Sequence, residues 1–172
     1  MRALKAMFIA IAMTGGLSVA PAVAQDLYSG YNYNMGLGFD WDGFYSGVYG
    51  GGVPVTDNEK SWSGGIFTGV NVALDQTFVL GAEAQLGGDF EQDNIALDAL
   101  VLAKGGASFG EALVYGTGGT GLIAGEFGYA FGGGVEYGFT DYISVRGEAL
   151  GTGEWGSGPD EMRLTAGIAF HM

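Results

Sequence analysis

The last strand-like run of this chain limits its possible folds more than any other feature. Between 162 and 172, Met162, Leu164, Ala166, Ile168, Phe170 and Met172 share one parity, while Arg163, Thr165, Gly167 and His171 share the other. Residues two apart lie on one face of an extended strand, so one face is an apolar ribbon and the other carries charge and small groups. The same division recurs upstream. Ile143, Val145, Gly147 and Ala149 oppose Ser144, Arg146 and Glu148, and Tyr129, Phe131, Val135, Tyr137 and Phe139 oppose Glu136. Leu80, Ala82, Ala84 and Leu86 oppose Glu83 and Gln85, and Ile95, Leu97, Ala99, Val101 and Ala103 oppose Asp98 and Lys104.

Eight such segments are expected, at 44–55, 61–74, 78–88, 95–107, 111–120, 128–139, 143–153 and 162–172, separated by clusters rich in Gly, Asp, Asn, Ser and Thr. Five of them alternate cleanly, whereas 44–55 and 111–120 do not. The 35 glycines argue against a helical domain, because each interior Gly costs about 0.5–1 kcal/mol relative to Ala. They suit strands whose backbones approach closely. No run after residue 24 has the apolar length of a membrane-spanning helix.

Alternation of this kind fits a soluble sandwich or barrel with its apolar faces inside, or a membrane barrel with them outside. The polar faces decide between these. They consist mostly of Gly, Ala, Ser and Thr with one or two charges per strand, too few for a surface in water. The lumen of an eight-stranded barrel is just wide enough to be filled by such side chains. The sequence therefore predicts an all-β fold, an eight-stranded antiparallel transmembrane up-and-down β-barrel over 41–172. Its interior is a lumen polar network of Glu83, Asp98, Lys104, Glu136, Arg146, Glu148 and Arg163, in which Arg146 pairs with Glu136 or Glu148. Aromatic residues form two girdles: Trp41, Phe44, Tyr45, Phe78, Phe109, Phe139, Tyr142 and Phe170 at one end, and Trp62, Phe90, Phe127, Tyr129 and Trp155 at the other.

Residues 1–24 read as a Sec-type signal peptide. Arg2 and Lys5 precede a short apolar stretch, and Ala22-Val23-Ala24 offers a cleavage pattern between Ala24 and Gln25. Residues 25–40 read as a flexible periplasmic leader. Removal of the first 24 residues leaves four basic residues against nineteen acidic ones, a net charge of about −15, which argues against nucleic acid as a partner. With no cysteine, neither disulfides nor thiolate metal sites support the fold.

The stretches "WDGFYSGVYGG", "LVYGTGG", "VEYGFTDYISVRGEAL" and "RLTAGIAFHM" together resemble the opacity/porin-like small outer-membrane β-barrel proteins, relatives of the barrel domain of outer membrane protein A. The resemblance covers about 44–172 and implies a non-enzymatic structural or surface barrel in the outer membrane of a Gram-negative-type cell. Members usually end in Phe, which the barrel-assembly machinery reads; this chain ends Phe170-His171-Met172, with the apolar residues in the same alternate frame. The expected partners are outer-membrane lipid, lipopolysaccharide and that machinery, and the expected state is a monomer. Loops near 56–60, 89–94, 121–127 and 154–161 then face outside, and turns near 75–77, 108–110 and 140–142 face the periplasm. Two rival functions are a narrow, weakly cation-preferring pore and a lipid hydrolase on the barrel wall.

Motifs for chemistry are sparse. "GTGGTG" places Gly116, Gly118 and Gly121 in a dinucleotide-type spacing, but no helix can follow in "LIAGEFGYAFGGG". A Ser-His-acid triad would need His171 to meet Ser144 or Ser157. Asp89, Glu91 and Asp93, and separately Asp57 and Glu59, offer oxygen ligands without a known Ca²⁺-loop spacing. No cofactor or metal is expected.

Overall fold

A computed structural model describes residues 38–52, 62–90, 95–156, 158–159 and 161–172. The expected signal peptide with its Ala24/Gln25 junction, the expected leader up to residue 37, the acidic pairs Asp57/Glu59 and Glu91/Asp93, Ser157 and the Phe90 side chain lie outside the described residues. Eight strands follow one another: β1 Gly43–Gly52, β2 Trp62–Ala73, β3 Phe78–Phe90, β4 Ile95–Phe109, β5 Ala112–Ile123, β6 Glu126–Thr140, β7 Ile143–Glu154 and β8 Glu161–His171. Each pairs antiparallel with the next, and β8 returns to β1 to close the barrel. Closure leaves no strand edge unpaired.

The alternating faces fall as the parity of the sequence requires. Val145 is 42% exposed on the outside, whereas its neighbour Arg146 is 4% exposed on the inside. Ile66, Leu80, Leu97, Val101, Phe131 and Ile168 likewise point outward. An outer surface of this kind suits hydrocarbon, and every backbone group in the ladder is satisfied within it. Exposed aromatics mark both ends of the apolar band. Phe78, Phe109, Phe139, Tyr142 and Phe170 lie at the end bearing residues 38–42 and Met172, here the termini end. Trp62, Phe127 and Trp155 lie at the far end.

Two members of the expected girdle are elsewhere. Trp41 and Tyr45 are buried inside the barrel, because β1 enters with odd-numbered residues inward. Phe39, which the sequence reading placed in the leader, is buried against the inner wall of the barrel. The expected loop at 121–127 contracts to the two-residue turn Ala124-Gly125, with both residues at positive φ (50° and 86°). That is the geometry a tight hairpin requires.

The two segments with unclear alternation owe it to inward residues that are aromatic, aliphatic or absent. β1 sends Tyr45 and Tyr49 inward, and β5 sends in Leu113 and Tyr115, then Thr117 and the glycines Gly119 and Gly121. A Cβ at Gly119 or Gly121 would lie 2.0 Å from the carbonyl oxygen of Val101 or Ala99, so β5 hugs β4 too closely there for any side chain. Gly116 and Gly118 face outward, where a Cβ would find its nearest neighbour 3.8 Å away. The "GTGGTG" run thus curves a barrel wall and opens no helix.

Candidate functional site

Because even-numbered residues of β7 point inward, Ser144, Arg146 and Glu148 line the lumen; odd numbers of β3 and β8 do the same for Glu83 and Arg163. All seven residues of the predicted network, Glu83, Asp98, Lys104, Glu136, Arg146, Glu148 and Arg163, are buried within the barrel. Their pairing differs from the expected one.

Arg146 stands directly opposite Glu136 in the β6–β7 register, yet it pairs across the lumen with Glu83 on β3. Its two terminal nitrogens donate to Oε2 and Oε1 of Glu83 at 2.7 and 3.1 Å. A two-pronged guanidinium–carboxylate contact is among the strongest geometries available to a buried pair. The guanidinium also lies over the Phe67 ring at 3.6 Å. Tyr45 donates to Glu83 at 2.7 Å, and Gln85 donates to Glu83 at 2.9 Å and to Glu148 at 3.2 Å. Glu148 receives a second bond from Tyr115 at 2.9 Å.

Lys104 on β4 takes Glu136 on β6 as its partner, at 2.8 Å, and rests over the Tyr115 ring at 4.1 Å. Toward the far end Arg163 bridges Asp98 at 2.7 Å and Asp89 at 2.8 Å, and the other Asp98 oxygen accepts the Ala124 N–H at 2.9 Å. The ion pairs therefore join walls that are not adjacent. Each cross-tie holds the barrel's cross-section as well as satisfying a buried charge.

Sequence reasoning left several members out. Tyr45, Tyr115, Gln85 and Asp89 add hydrogen bonds to the network, and Asp89 raises the acids facing the three buried cations to five. Tyr45 reads as a girdle residue and Tyr115 carries no assignment in the sequence, because nothing in a linear pattern shows which ring reaches a carboxylate. The interior is also less polar than expected. Leu100, Leu102, Ala130 and Leu150 form an apolar layer toward the far mouth, and Tyr45, Tyr49, Phe67 and Ala169 pack along one wall.

The structure does bring His171 to Ser144. Ser144 Oγ lies 3.0 Å from His171 Nε2 and donates to Glu136 Oε1 at 2.5 Å, while Glu136 Oε1 lies 3.3 Å from the same Nε2. A catalytic triad places the serine on one imidazole nitrogen and the acid on the other. Here both crowd Nε2, Nδ1 meets no hydrogen-bond partner among the described residues, and Ser144 is fully buried inside the barrel rather than on its wall. The cluster ties β6, β7 and β8 together. Of the acidic loop residues, Asp89 is committed to Arg163.

No family model and no curated protein matches the sequence. A solved structure from work titled "De novo design of transmembrane beta-barrels" is similar to 75% of this chain over 93% of its own, at 16% identity and a TM-score of 0.44. What the molecule displays by itself is a closed eight-stranded antiparallel β-barrel, apolar outside and cross-tied by buried ion pairs inside.

Proposed function

We propose that the protein is a non-enzymatic structural barrel of the outer membrane, related to the opacity/porin-like proteins and exported by the Sec route. It contributes to envelope integrity by filling its place in the bilayer with a rigid, closed wall. Its partners are outer-membrane lipid and lipopolysaccharide, with the barrel-assembly machinery engaging β8, and it acts as a monomer. The observation that carries this reading is the filled lumen. A two-pronged Arg146–Glu83 tie, the Lys104–Glu136 pair and the Leu100–Leu102–Leu150 layer stand across the path that ions would need.

A pore would have to break such ties or run around them, and a wall-mounted hydrolase would need its serine outside. Recording from planar bilayers tests the reading. The inserted protein is expected to add no discrete conductance steps; reproducible unitary steps at modest voltage would replace the structural reading with the pore. Fractionation of cells tests the location, with the mature chain expected in the outer-membrane fraction.

A further inference from the structure

Residues 38–41 come before the first strand, where a leader would be expected to trail away. Instead they cross the termini-end mouth and seat two large rings inside it. Phe39 and Trp41 meet with tilted rings, 4.5 Å between centres, and pack with Val79 of β3 and Leu113 and Tyr115 of β5. Phe39 also takes a place left for it on β6. A Cβ at Gly138 would lie 2.2 Å from the Phe39 ring, so only glycine leaves that space. The Phe39 N–H donates to the Gly110 carbonyl in the β4–β5 turn at 3.3 Å, and Asp42 accepts the Ala73 N–H of β2 at 3.0 Å.

The last inward residue of β8 completes this seat. His171 meets Phe39 edge-on at 4.8 Å and Trp41 at 5.8 Å, and lies parallel to Tyr45 at 5.5 Å. Its Nε2 faces the opposite way, toward Ser144 and Glu136. The strap thus touches β3, β5, β6, β8 and the β4–β5 turn, and its rings stand between solvent and the buried Glu136–Ser144–His171 cluster. Two aromatic side chains held by a fitted glycine and a histidine are more than an approach to the first strand needs.

We propose that residues 38–41 are a built-in seal of the termini-end mouth, held by His171, that keeps water and solutes out of the lumen. The inference is independent of the envelope role proposed above and needs only the closed barrel, so either can fail without the other.

The chain contains no cysteine, so single introduced thiols report on access without background. In detergent-folded protein, Ser144→Cys is treated with a small charged methanethiosulfonate reagent, with the strap intact and with Phe39→Ala and Trp41→Ala combined. Labelling is expected to be slow behind the intact strap and at least tenfold faster without the two rings. Leu113→Cys, also fully buried beneath the strap, serves where Ser144→Cys does not fold. Asp141→Cys in the exposed β6–β7 turn should react equally in both backgrounds, and Leu102→Cys in the far apolar layer should stay protected in both. Equal rates at Ser144 with and without the rings, or fast labelling behind the intact strap, would overturn the seal. Loss of protection at Leu102→Cys in the ring-free variant would also overturn it, since the rings would then support the whole barrel rather than one mouth.

Discussion

At the scale of single residues, each side chain of β7 has a face and a partner, and the two were not equally legible. Parity in the sequence suffices to place Val145 outside and Arg146 inside, because the strand period is two. The partner is not contained in that pattern. Register sets Arg146 opposite Glu136, but a long guanidinium can cross a narrow lumen, and it does so to reach Glu83. We expect Arg146→Ala to destabilise the folded barrel by about 3–5 kcal/mol, since removing one member of a buried pair orphans the other charge. Adding Glu83→Gln should recover part of that loss, and adding Glu136→Gln should recover none, because Glu136 has Lys104. Denaturant titrations of the singles and doubles in lipid vesicles give the coupling; rescue by Glu136→Gln in place of Glu83→Gln would refute the cross-lumen assignment. Val145→Arg, by contrast, sets a charge against hydrocarbon, and should cost about 2–4 kcal/mol near the midplane with no carboxylate able to restore it.

Among elements, strand existence was readable throughout while strand ends were not. All eight segments are strands, yet β5 and β6 extend to a two-residue turn where a seven-residue loop was expected, because glycines and acids near 121–127 look like a loop in sequence. Of those glycines Gly121 is an inward position with no room, and the turn itself falls on Gly125 and on Ala124, the latter at a φ of 50°. An L-residue in that conformation costs roughly 1–2 kcal/mol that glycine avoids. Ala124→Gly should therefore stabilise the barrel by about 1 kcal/mol in the same titrations, the N–H bond to Asp98 being a backbone bond that survives the change. Within β5 we expect Gly119→Ala and Gly121→Ala to impair folding severely and Gly116→Ala and Gly118→Ala to be tolerated, read from the folded fraction on unheated gels. A nucleotide-binding loop would instead make Gly116, Gly118 and Gly121 the sensitive set. The β2–β3 turn supplies a pH test outside the membrane band. Backbone N–H groups of Phe78 and Thr77 donate to Asp75 and hold its carboxyl below the usual carboxylate range. A depressed folded value means the contribution is present above the unfolded value and fades as pH falls through the folded one. The stability difference between the native chain and Asp75→Ala should accordingly shrink on acidification.

For the molecule as a whole, the distribution of side chains sets the solvent it requires. Three of the six basic residues are buried in the lumen, while Val, Ile, Leu and Phe side chains cover the outside between the two aromatic ends. Soluble monomers rarely expose contiguous apolar patches beyond a few hundred square ångströms, and this belt encircles the barrel. Sequence parity alone allowed the reverse arrangement, a soluble barrel with the apolar faces inward; the sparse charge on the polar faces was the legible hint, and the Glu83, Glu136 and Arg146 burials are the structural answer. The two arrangements respond oppositely to dilution from urea. Turned apolar side out, the chain gains nothing from closing its ladder in water, because closure leaves the belt wet and buries four carboxylates and three cations at the cost of their hydration. In vesicles or detergent the belt is covered, and the ladder closes with no edge left over. We expect dilution into buffer alone to yield aggregated or unfolded chain, and dilution into short-chain phosphatidylcholine vesicles to yield a β-rich circular dichroism spectrum and a band whose gel mobility changes on boiling. Folding in plain buffer to a monomer with the same spectrum would show the faces to be reversed, and a helical spectrum in vesicles would remove the barrel itself.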